Sequence, residues 1–341
     1  MKWLSPFCKN KMTGYLLLLF VHTGCNNMPE GALLNNQQKE NEFTIPEKDT
    51  LTKIEVLYRS SNNGETWSPF SNGIPANATV SGFAAKANKI FAVTVADGAF
   101  VWESGATKWE PINSGLPESI NLNAIAVAGN ALVMGTLKQG IFVSSDEGNT
   151  WKPSGKGLQN ISVRAFIFIK DTLLAGTDEG IYVSTDKGNT WEHVFGSMQT
   201  NGFTTLNEKI YAAAADGAIM TSNSGKTWKY IYKPHTLHDI SNDGQFIYAM
   251  TLGEGLLKTN NDGLSWQNVN TGFGPVNLYT FEVKSRNRDL FAAQWYGIYY
   301  SANQGRYWSK INTGHNGLPD STAFTTLEVT DYGILAGTGL K

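Results

Sequence analysis

The chain has 341 residues, which is enough for one large domain or two smaller ones. Its formal net charge is −2 at pH 7, and −5 without the three lysines of residues 1–24, so there is no electrostatic basis for nucleic-acid binding. The two cysteines, Cys8 and Cys25, lie near the amino terminus, and no disulfide is expected in a domain that follows them.

Residues 1–25 have the features of an export signal. Three lysines precede the apolar run Tyr15–Val21, which is too short to span a bilayer. The segment ends in Gly24-Cys25, which resembles the cleavage box of a bacterial lipoprotein. The resemblance implies lipidation of Cys25 and a membrane anchor; the alternative is an ordinary cleaved signal beside an unmodified cysteine. We therefore expect an exported protein, held in the cell envelope on the periplasmic or outer-membrane face, or otherwise secreted.

Residues 26–50 are rich in Asn, Gln and Glu and are predicted to form a disordered tether. A flexible segment of this length reaches roughly 25–30 Å on average, enough to hold a domain clear of a membrane. The predicted organisation is a signal peptide at 1–25, a tether at 26–50 and one folded domain at 51–341.

The folded domain is predicted from a repeated phrase, Ser-x-Asp-x-Gly-x-Thr-Trp. It occurs in full at residues 144–151 and 184–191. Less exact copies end at Trp67, Trp228, Trp266 and Trp308, and a degenerate copy ends at Trp109. The intervals between the seven Trp residues are 42, 42, 40, 37, 38 and 42. A period near 40 with four short strands per repeat is typical of a propeller blade.

Each position of the phrase has a structural use. The Asp or Asn can accept backbone N–H bonds and close a turn, the Gly supplies a positive φ, and the Trp fills apolar space between blades. The residues predicted for the turn and the packing are Asn62, Trp67, Asp146, Trp151, Asp186, Trp191, Asn223, Trp228, Asn261, Trp266, Asn303 and Trp308. The phrase resembles the Asp-box, or BNR repeat, of sialidases, photosystem II assembly factors and sortilin-type proteins. The resemblance covers the chain from about residue 54 and implies a β-propeller.

The first and last repeats are each half a repeat. The chain enters the pattern at the third strand of a blade, residues 56–60, and leaves it after the second strand, in residues 334–341. We therefore predict an all-β fold, a seven-bladed β-propeller of four-stranded antiparallel blades, closed by pairing the N- and C-terminal half-blades. Closure removes exposed strand edges. In the third whole repeat the predicted strands are 162–169, 172–177, 180–184 and 190–194.

The candidate ligand face lies opposite the Asp-box turns. It carries the turns between the second and third strands, with Asp97, Lys138, Asp178, Glu179, Asp216, Glu254, Trp295 and Tyr296. A ring of carboxylates and aromatic rings around a channel mouth suits a sugar, a cation or a basic peptide. For each acid the alternative is that Asp-Gly and Glu-Gly are good hairpin residues. The pair Trp295-Tyr296 is not required by any turn and indicates a contact site.

The sequence contains no serine-hydrolase elbow, zinc-protease helix or phosphate-binding loop. His235 and His238 have no third ligand at metal-site spacing, so neither a metal nor another cofactor is predicted. Resemblance to sialidases would imply three arginines gripping a carboxylate, and the arginines here are not spaced to meet at the channel mouth. We expect a monomeric, non-catalytic platform that binds a protein partner in the envelope. The alternative is a protein that binds a glycan, or a glycoside hydrolase, using the acidic and aromatic mouth.

Overall fold

The structure, a computed structural model, describes residues 54–233, 235–274, 279–320 and 322–339. The predicted signal peptide, Cys25 and the predicted tether lie outside the described residues. Within those ranges the chain forms seven sheets of four antiparallel strands. The same ranges contain no helix with the length and apolar character needed to cross a membrane.

The strands follow the blades in chain order. The chain begins with β1 (Leu57–Ser60) and β2 (Ser68–Pro69). Blade 1 contains β3 (Val80–Lys86), β4 (Lys89–Thr94), β5 (Ala99–Glu103) and β6 (Glu110–Pro111). Blade 2 contains β7 (Leu122–Ala128), β8 (Ala131–Thr136), β9 (Ile141–Ser144) and β10 (Lys152–Ser154). Blade 3 contains β11 (Val163–Ile169), β12 (Thr172–Thr177), β13 (Gly180–Ser184) and β14 (Glu192–Phe195).

Three more complete blades follow. Blade 4 contains β15 (Thr200–Leu206), β16 (Lys209–Ala214), β17 (Gly217–Thr221) and β18 (Lys229–Tyr232). Blade 5 contains β19 (Leu237–Asn242), β20 (Ile247–Thr251), β21 (Gly255–Thr259) and β22 (Gln267–Asn268). Blade 6 contains β23 (Thr280–Arg286), β24 (Asp289–Gln294), β25 (Gly297–Ser301) and β26 (Ser309–Lys310). The last strands, β27 (Phe324–Thr330) and β28 (Gly333–Thr338), belong to blade 7.

Blade 7 joins the two ends of the domain. Its strand order is β2-β1-β28-β27, with Leu57 opposite Gly337 and Ser60 opposite Ile334. The N–H of Thr338 also donates to the carbonyl of Val56 at 2.9 Å. The predicted all-β, seven-bladed propeller with four-stranded blades and paired half-blades is confirmed.

The outermost strands are shorter than the others. In blade 3 the last strand starts at Glu192 rather than at the predicted residue 190. The reason is that Thr190 belongs to the preceding turn and the N–H of Trp191 donates to the carbonyl of Lys156, outside its own sheet. Similar backbone bonds link the blades of four other repeated Trp residues to a neighbouring connection: Trp67, Trp109, Trp151 and Trp308.

The core lies between adjacent blades. Trp151, for example, is buried in a cluster that joins Phe91 of blade 1 to Leu122 of blade 2. The preceding turn is held by the carboxylate of Asp146, which accepts bonds from the N–H and hydroxyl of Thr150 at 2.9 and 2.6 Å. These bonds lower the pKa of Asp146 to about 2. The turn orders the segment that delivers the Trp ring to the blade interface.

Candidate functional site

The innermost strands of the seven blades surround a central cavity of about 540 Å³. Each of these strands contains a β-bulge near its start, where one residue has no partner on the next strand. A bulge re-aims a side chain. All seven unpaired residues line the cavity: Ser81, Asn123, Arg164, Asn201, His238, Phe281 and Thr325.

Two bulge residues tie their blade to the next one. The hydroxyl of Ser81 donates to the carbonyl of Leu122 at 2.7 Å, and the amide of Asn201 donates to the carbonyl of Leu237 at 2.7 Å. Because these bonds join neighbouring innermost strands, they fix the wall of the cavity.

The wall has unequal sides. The residue after the bulge is small in blades 1 to 4, where it is Gly82, Ala124, Ala165 or Gly202. In blades 5 and 6 it is Asp239 or Glu282. Two positions further on, blades 6 and 7 contribute Lys284 and Glu328. Aspartate, glutamate and lysine side chains of the wall therefore lie on blades 5 to 7, whereas the position after the bulge is small in blades 1 to 4.

Lys284 lies between two of the carboxylates. Its Nζ is 2.9 Å from Oε1 of Glu282 and 3.5 Å from Oε2 of Glu328. Burial opposes the charge on the lysine, but the neighbouring carboxylates prevail and raise the pKa of Lys284 above its ordinary value. Burial raises the pKa of Glu328, although Lys284 opposes that shift. Glu282 also accepts a bond from the N–H of Leu327.

Asp239 differs from the other two acids because no ion pair among the described residues includes it. Burial first, and the nearby charge of Glu282 second, raise the pKa of Asp239 to about 7. Its carboxylate fits against Gly202, where an added Cβ would collide with Oδ1. Asp239 is thus a carboxyl group on the cavity wall without an ion-pair contact, and the charge of Lys284 only partly opposes the rise in its pKa.

An aromatic group, which consists of His238, Tyr279, Phe281 and Trp295, joins the cavity to the outer face. The Tyr279 hydroxyl is 2.9 Å from Nδ1 of His238. Burial lowers the pKa of His238 to about 4, so the ring is neutral at pH 7, and its tautomer decides which partner donates in this bond. Phe281 packs edge-on against Tyr279 and Trp295, with centroids 4.8 and 4.7 Å apart. Trp295 and Tyr296 are 42% and 50% exposed.

Trp295 also belongs to an apolar rim. At the position that follows the second strand, four blades expose a large apolar side chain by 39–43%: Val95, Leu137, Leu252 and Trp295. The N–H groups of Val95, Leu137 and Leu252 donate to the carbonyl of the residue just before an innermost strand. The rim therefore lies beside the entrance to the cavity.

The eight predicted ligand-face residues lie on the second-to-third-strand turns, and none of them is part of the cavity wall as described. Asp178 pairs with Arg164, which does line the cavity. Glu254 accepts from Tyr232 at 2.7 Å and lies 2.7 Å from Nε2 of His235.

Other predicted residues serve their own turns. Asp216 accepts from the hydroxyl of Tyr230, and Lys233 lies 3.9 Å away. The N–H groups of Asp97 and Glu179 donate to threonine hydroxyls within their turns, and Lys138 has a φ of 77°. Three of the predicted ligand-face acids, Asp178, Asp216 and Glu254, thus have local partners.

The acids of the wall were missed by sequence reasoning. The signal that would find them is the alignment of innermost strands on the bulge, where four blades have Gly or Ala and two have Asp239 or Glu282. The described residues contain no group of three His, Cys, Asp or Glu arranged for a metal. Of the arginines, Arg164 is the only one on the described wall. Arg59 instead lies 4.3 Å from the ring centroid of Phe70.

Comparison with known proteins supports the fold. Residues 43–156, a minority of the chain, match the DUF6242 beta propeller domain family. None of the curated proteins matches the chain. Among solved structures, YCF48 bound to D1 peptide is similar with a TM-score of 0.61 and 15% identity, over 79% of this chain and 95% of that one.

Two larger proteins contain similar domains. One is the extracellular domain of the putative one component system BT4673 from B. thetaiotaomicron, with a TM-score of 0.66 and 16% identity, over 79% of this chain and 38% of that one. The other is the GH74 xyloglucanase from Xanthomonas campestris, with a TM-score of 0.61 and 15% identity, over 84% of this chain and 56% of that one. At these identities the likeness is one of fold, and the chain is a seven-bladed β-propeller similar to these proteins.

Proposed function

We propose that the propeller is a non-catalytic platform that binds a protein partner on the face where the cavity opens. The observation that carries the proposal is the exposure of Trp295 and Tyr296, 42% and 50%, on that face. Aromatic residues of this kind are enriched among the residues that dominate binding energy at protein interfaces. Phe281 holds the Trp295 ring from below, so little side-chain freedom is lost when a partner binds.

The apolar rim enlarges this contact surface. Val95, Leu137 and Leu252 expose further apolar area around the cavity entrance, while Asp97, Lys138 and Glu179 supply polar groups on the turns. An apolar centre with polar groups at its edge is the usual anatomy of an interface. We assign Trp295 and Tyr296 to the centre of the binding face and these polar residues to its periphery.

We further propose that the protein is exported and anchored through Cys25 as a monomer. The lipoprotein-like segment at residues 21–25 supports this location. One structurally similar domain is extracellular, and another similar protein was solved with a peptide bound. The predicted partner is therefore an envelope protein that presents a segment or loop to the propeller.

The test is direct binding. The full chain, purified in detergent, first captures its partner from the cell envelope. The affinity of the full chain for this partner is then compared with that of the variant Trp295→Ala/Tyr296→Ala. We expect the affinity to fall by at least about thirtyfold, the loss of about 2 kcal/mol that defines an interface hot spot. An unchanged affinity would remove this face from the proposal.

A second candidate function is carbohydrate binding or glycoside hydrolysis. One observation favours it: Asp239, with its pKa raised to about 7, shares the cavity with Glu282, and glycosidases pair a protonated carboxyl group with a second carboxylate. The test is release of reducing ends from a panel of glucans, including xyloglucan. Turnover that disappears in Asp239→Asn would establish the enzyme in place of the platform.

A further inference from the structure

We propose that the cavity receives a cationic side chain of the protein partner, a lysine or an arginine, and that the Asp239 carboxylate is its counter-ion. This inference rests on the platform proposal and gives the partner a chemistry. The recognised segment carries one basic residue between apolar residues, which contact the apolar rim.

One acid of the wall has no close ion-pair contact. Lys284 serves both Glu282 and Glu328. Arg164 is held by Asp178 and, with the Gln199 amide assigned so that its oxygen faces the guanidinium, by Gln199 at 2.9 Å. The close ion-pair contacts of both basic groups are therefore with acids other than Asp239, on which Lys284 acts only through its nearby charge.

His238 does not supply the missing charge. Its burial keeps the ring neutral at pH 7, and its Nδ1 contacts the Tyr279 hydroxyl. Among the described residues, Asp239 has no ion-pair partner at all. An entering cation would complete the charge balance of the wall.

The shape of the cavity fits one extended side chain. The cavity of about 540 Å³ extends to Thr79, Val95 and Gln199 at the entrance and to Asp239 within. The small residues Gly82, Ala124 and Ala165 leave room on the other side, whereas the space at Gly202 is taken by the Asp239 carboxylate. Lysine and arginine have an apolar stem and a charged head, so the stem would contact Phe281 while the head reaches the carboxylate.

The chemistry of the wall selects a cation over other ligands. An anion would meet three acidic side chains, and the basic groups of the wall, Lys284 and Arg164, are already paired with carboxylates. A metal would need a compact set of ligands, and the described residues contain no such group. An ammonium or guanidinium donates several hydrogen bonds and does not need a compact set of ligands.

The experiment uses fluorescein-labelled hexapeptide pools with random apolar flanks and one fixed central residue: lysine, arginine, norleucine or glutamate. Binding to the purified full chain is followed by fluorescence anisotropy. We expect the lysine and arginine pools to bind at least about tenfold more tightly than norleucine, the uncharged analogue of lysine. Free butylammonium should compete with the lysine pool, and butanol should not.

Two variants and a control locate the effect. Asp239→Asn should abolish the preference for lysine over norleucine. Lys284→Met should strengthen it, because this change frees Glu282 and Glu328. The matched control is Glu65→Gln, which removes an exposed acid from an Asp-box turn, outside the described wall and the proposed binding face, and should leave the preference unchanged.

The outcomes separate this inference from the platform proposal. Equal binding of the lysine and norleucine pools, or a preference that survives Asp239→Asn, would overturn the cation site. If those peptide pools still bind the variant Trp295→Ala/Tyr296→Ala more weakly than the wild type, the platform proposal stands without the cation site. The converse result is also possible. Butylammonium could compete in a manner that depends on Asp239, while the changes at Trp295 and Tyr296 cause no loss of an envelope partner. That result would support the cation site and contradict the platform.

Discussion

The carboxylate of Asp239 occupies the space that a side chain on Gly202 would need. A Cβ added at Gly202 would collide with Oδ1 of Asp239, which belongs to the next blade. The equivalent glycine of blade 1, Gly82, has ordinary contacts instead: a Cβ there would lie 3.5 Å from Cγ2 of Val93. Glycine at position 202 is thus explained by the space it leaves for an acid.

This relationship gives a matched pair of variants. We expect Gly202→Ala to displace the Asp239 carboxylate and to lower the free energy of unfolding by about 1–3 kcal/mol, the usual cost of overpacking. Gly82→Ala should change it by less than about 0.5 kcal/mol. Denaturant unfolding of both proteins measures the difference. Equal effects would mean that Asp239 moves freely and is not held against Gly202.

The pH dependence of stability contains two opposing contributions. The pKa of Asp239 rises from 3.8 to about 7 on folding, so its contribution is present below pH 4 and is lost as the pH rises towards 7. The pKa of His238 falls from 6.5 to about 4, so its contribution is present above pH 6.5 and is lost as the pH falls towards 4. The two partly cancel between these limits.

Asp239→Asn removes one of the two contributions and keeps Glu282, Lys284 and Glu328, the charged groups that face it. We expect the free energy of unfolding of this variant, relative to wild type, to rise between about pH 4 and pH 7 by a few kcal/mol. Urea denaturation across this range measures it. Parallel curves for the two proteins would show that the folded-state pKa of Asp239 is ordinary.

The Trp of the repeated phrase is expected to support the blade interfaces. Trp191 is 7% exposed, packs near Phe166 and donates from Nε1 to the carbonyl of Gly188 at 3.0 Å. Trp191→Ala should lower the free energy of unfolding by about 3–5 kcal/mol, because it leaves a cavity and an unpaired carbonyl. Leu264→Ala is the control, since Leu264 is 88% exposed. A loss below about 1 kcal/mol for Trp191→Ala would place the ring outside the core.

The predicted anchor is tested by Cys25→Ser. A lipid on this residue would hold the protein in membranes, because acyl chains bury many methylene groups in the bilayer. The variant should move from the membrane pellet to the soluble fraction after cell fractionation, and labelled palmitate should no longer be incorporated. If the variant stayed in the membrane pellet without incorporating palmitate, a contact other than the lipid on Cys25 would hold the protein in the membrane.

The fold was predictable because one phrase marks every blade. The intervals between the Trp residues give the repeat, and the half-repeats at residues 56–60 and 334–341 give the closure in which Leu57 faces Gly337. Small errors came from hydrogen bonds that leave the blade, such as that from Trp191 to Lys156. These bonds depend on the position of a neighbouring connection, so the sequence of the strand itself does not reveal them.

The cavity wall was less predictable. A bulge shifts the alternation of side chains by one position, so period-2 patterns do not reveal that Asp239 and Glu282 reach the cavity. The pairing of Glu254 with His235 and Tyr232 depends on an interblade connection whose path is not encoded in a motif. The assignment of Trp295 and Tyr296 to a contact site stays a prediction, and it rests on two bulky aromatic residues that exceed what a turn requires.

The most direct test of the platform is capture from detergent-solubilised envelope of the native host by the full chain and by two variants. Trp295→Ala/Tyr296→Ala changes the proposed binding face, whereas Tyr307→Ala removes a 55% exposed ring from an Asp-box turn on the opposite face. The account predicts one or more specific proteins captured by wild type and Tyr307→Ala and lost with Trp295→Ala/Tyr296→Ala. Identical captured proteins for all three chains would contradict it.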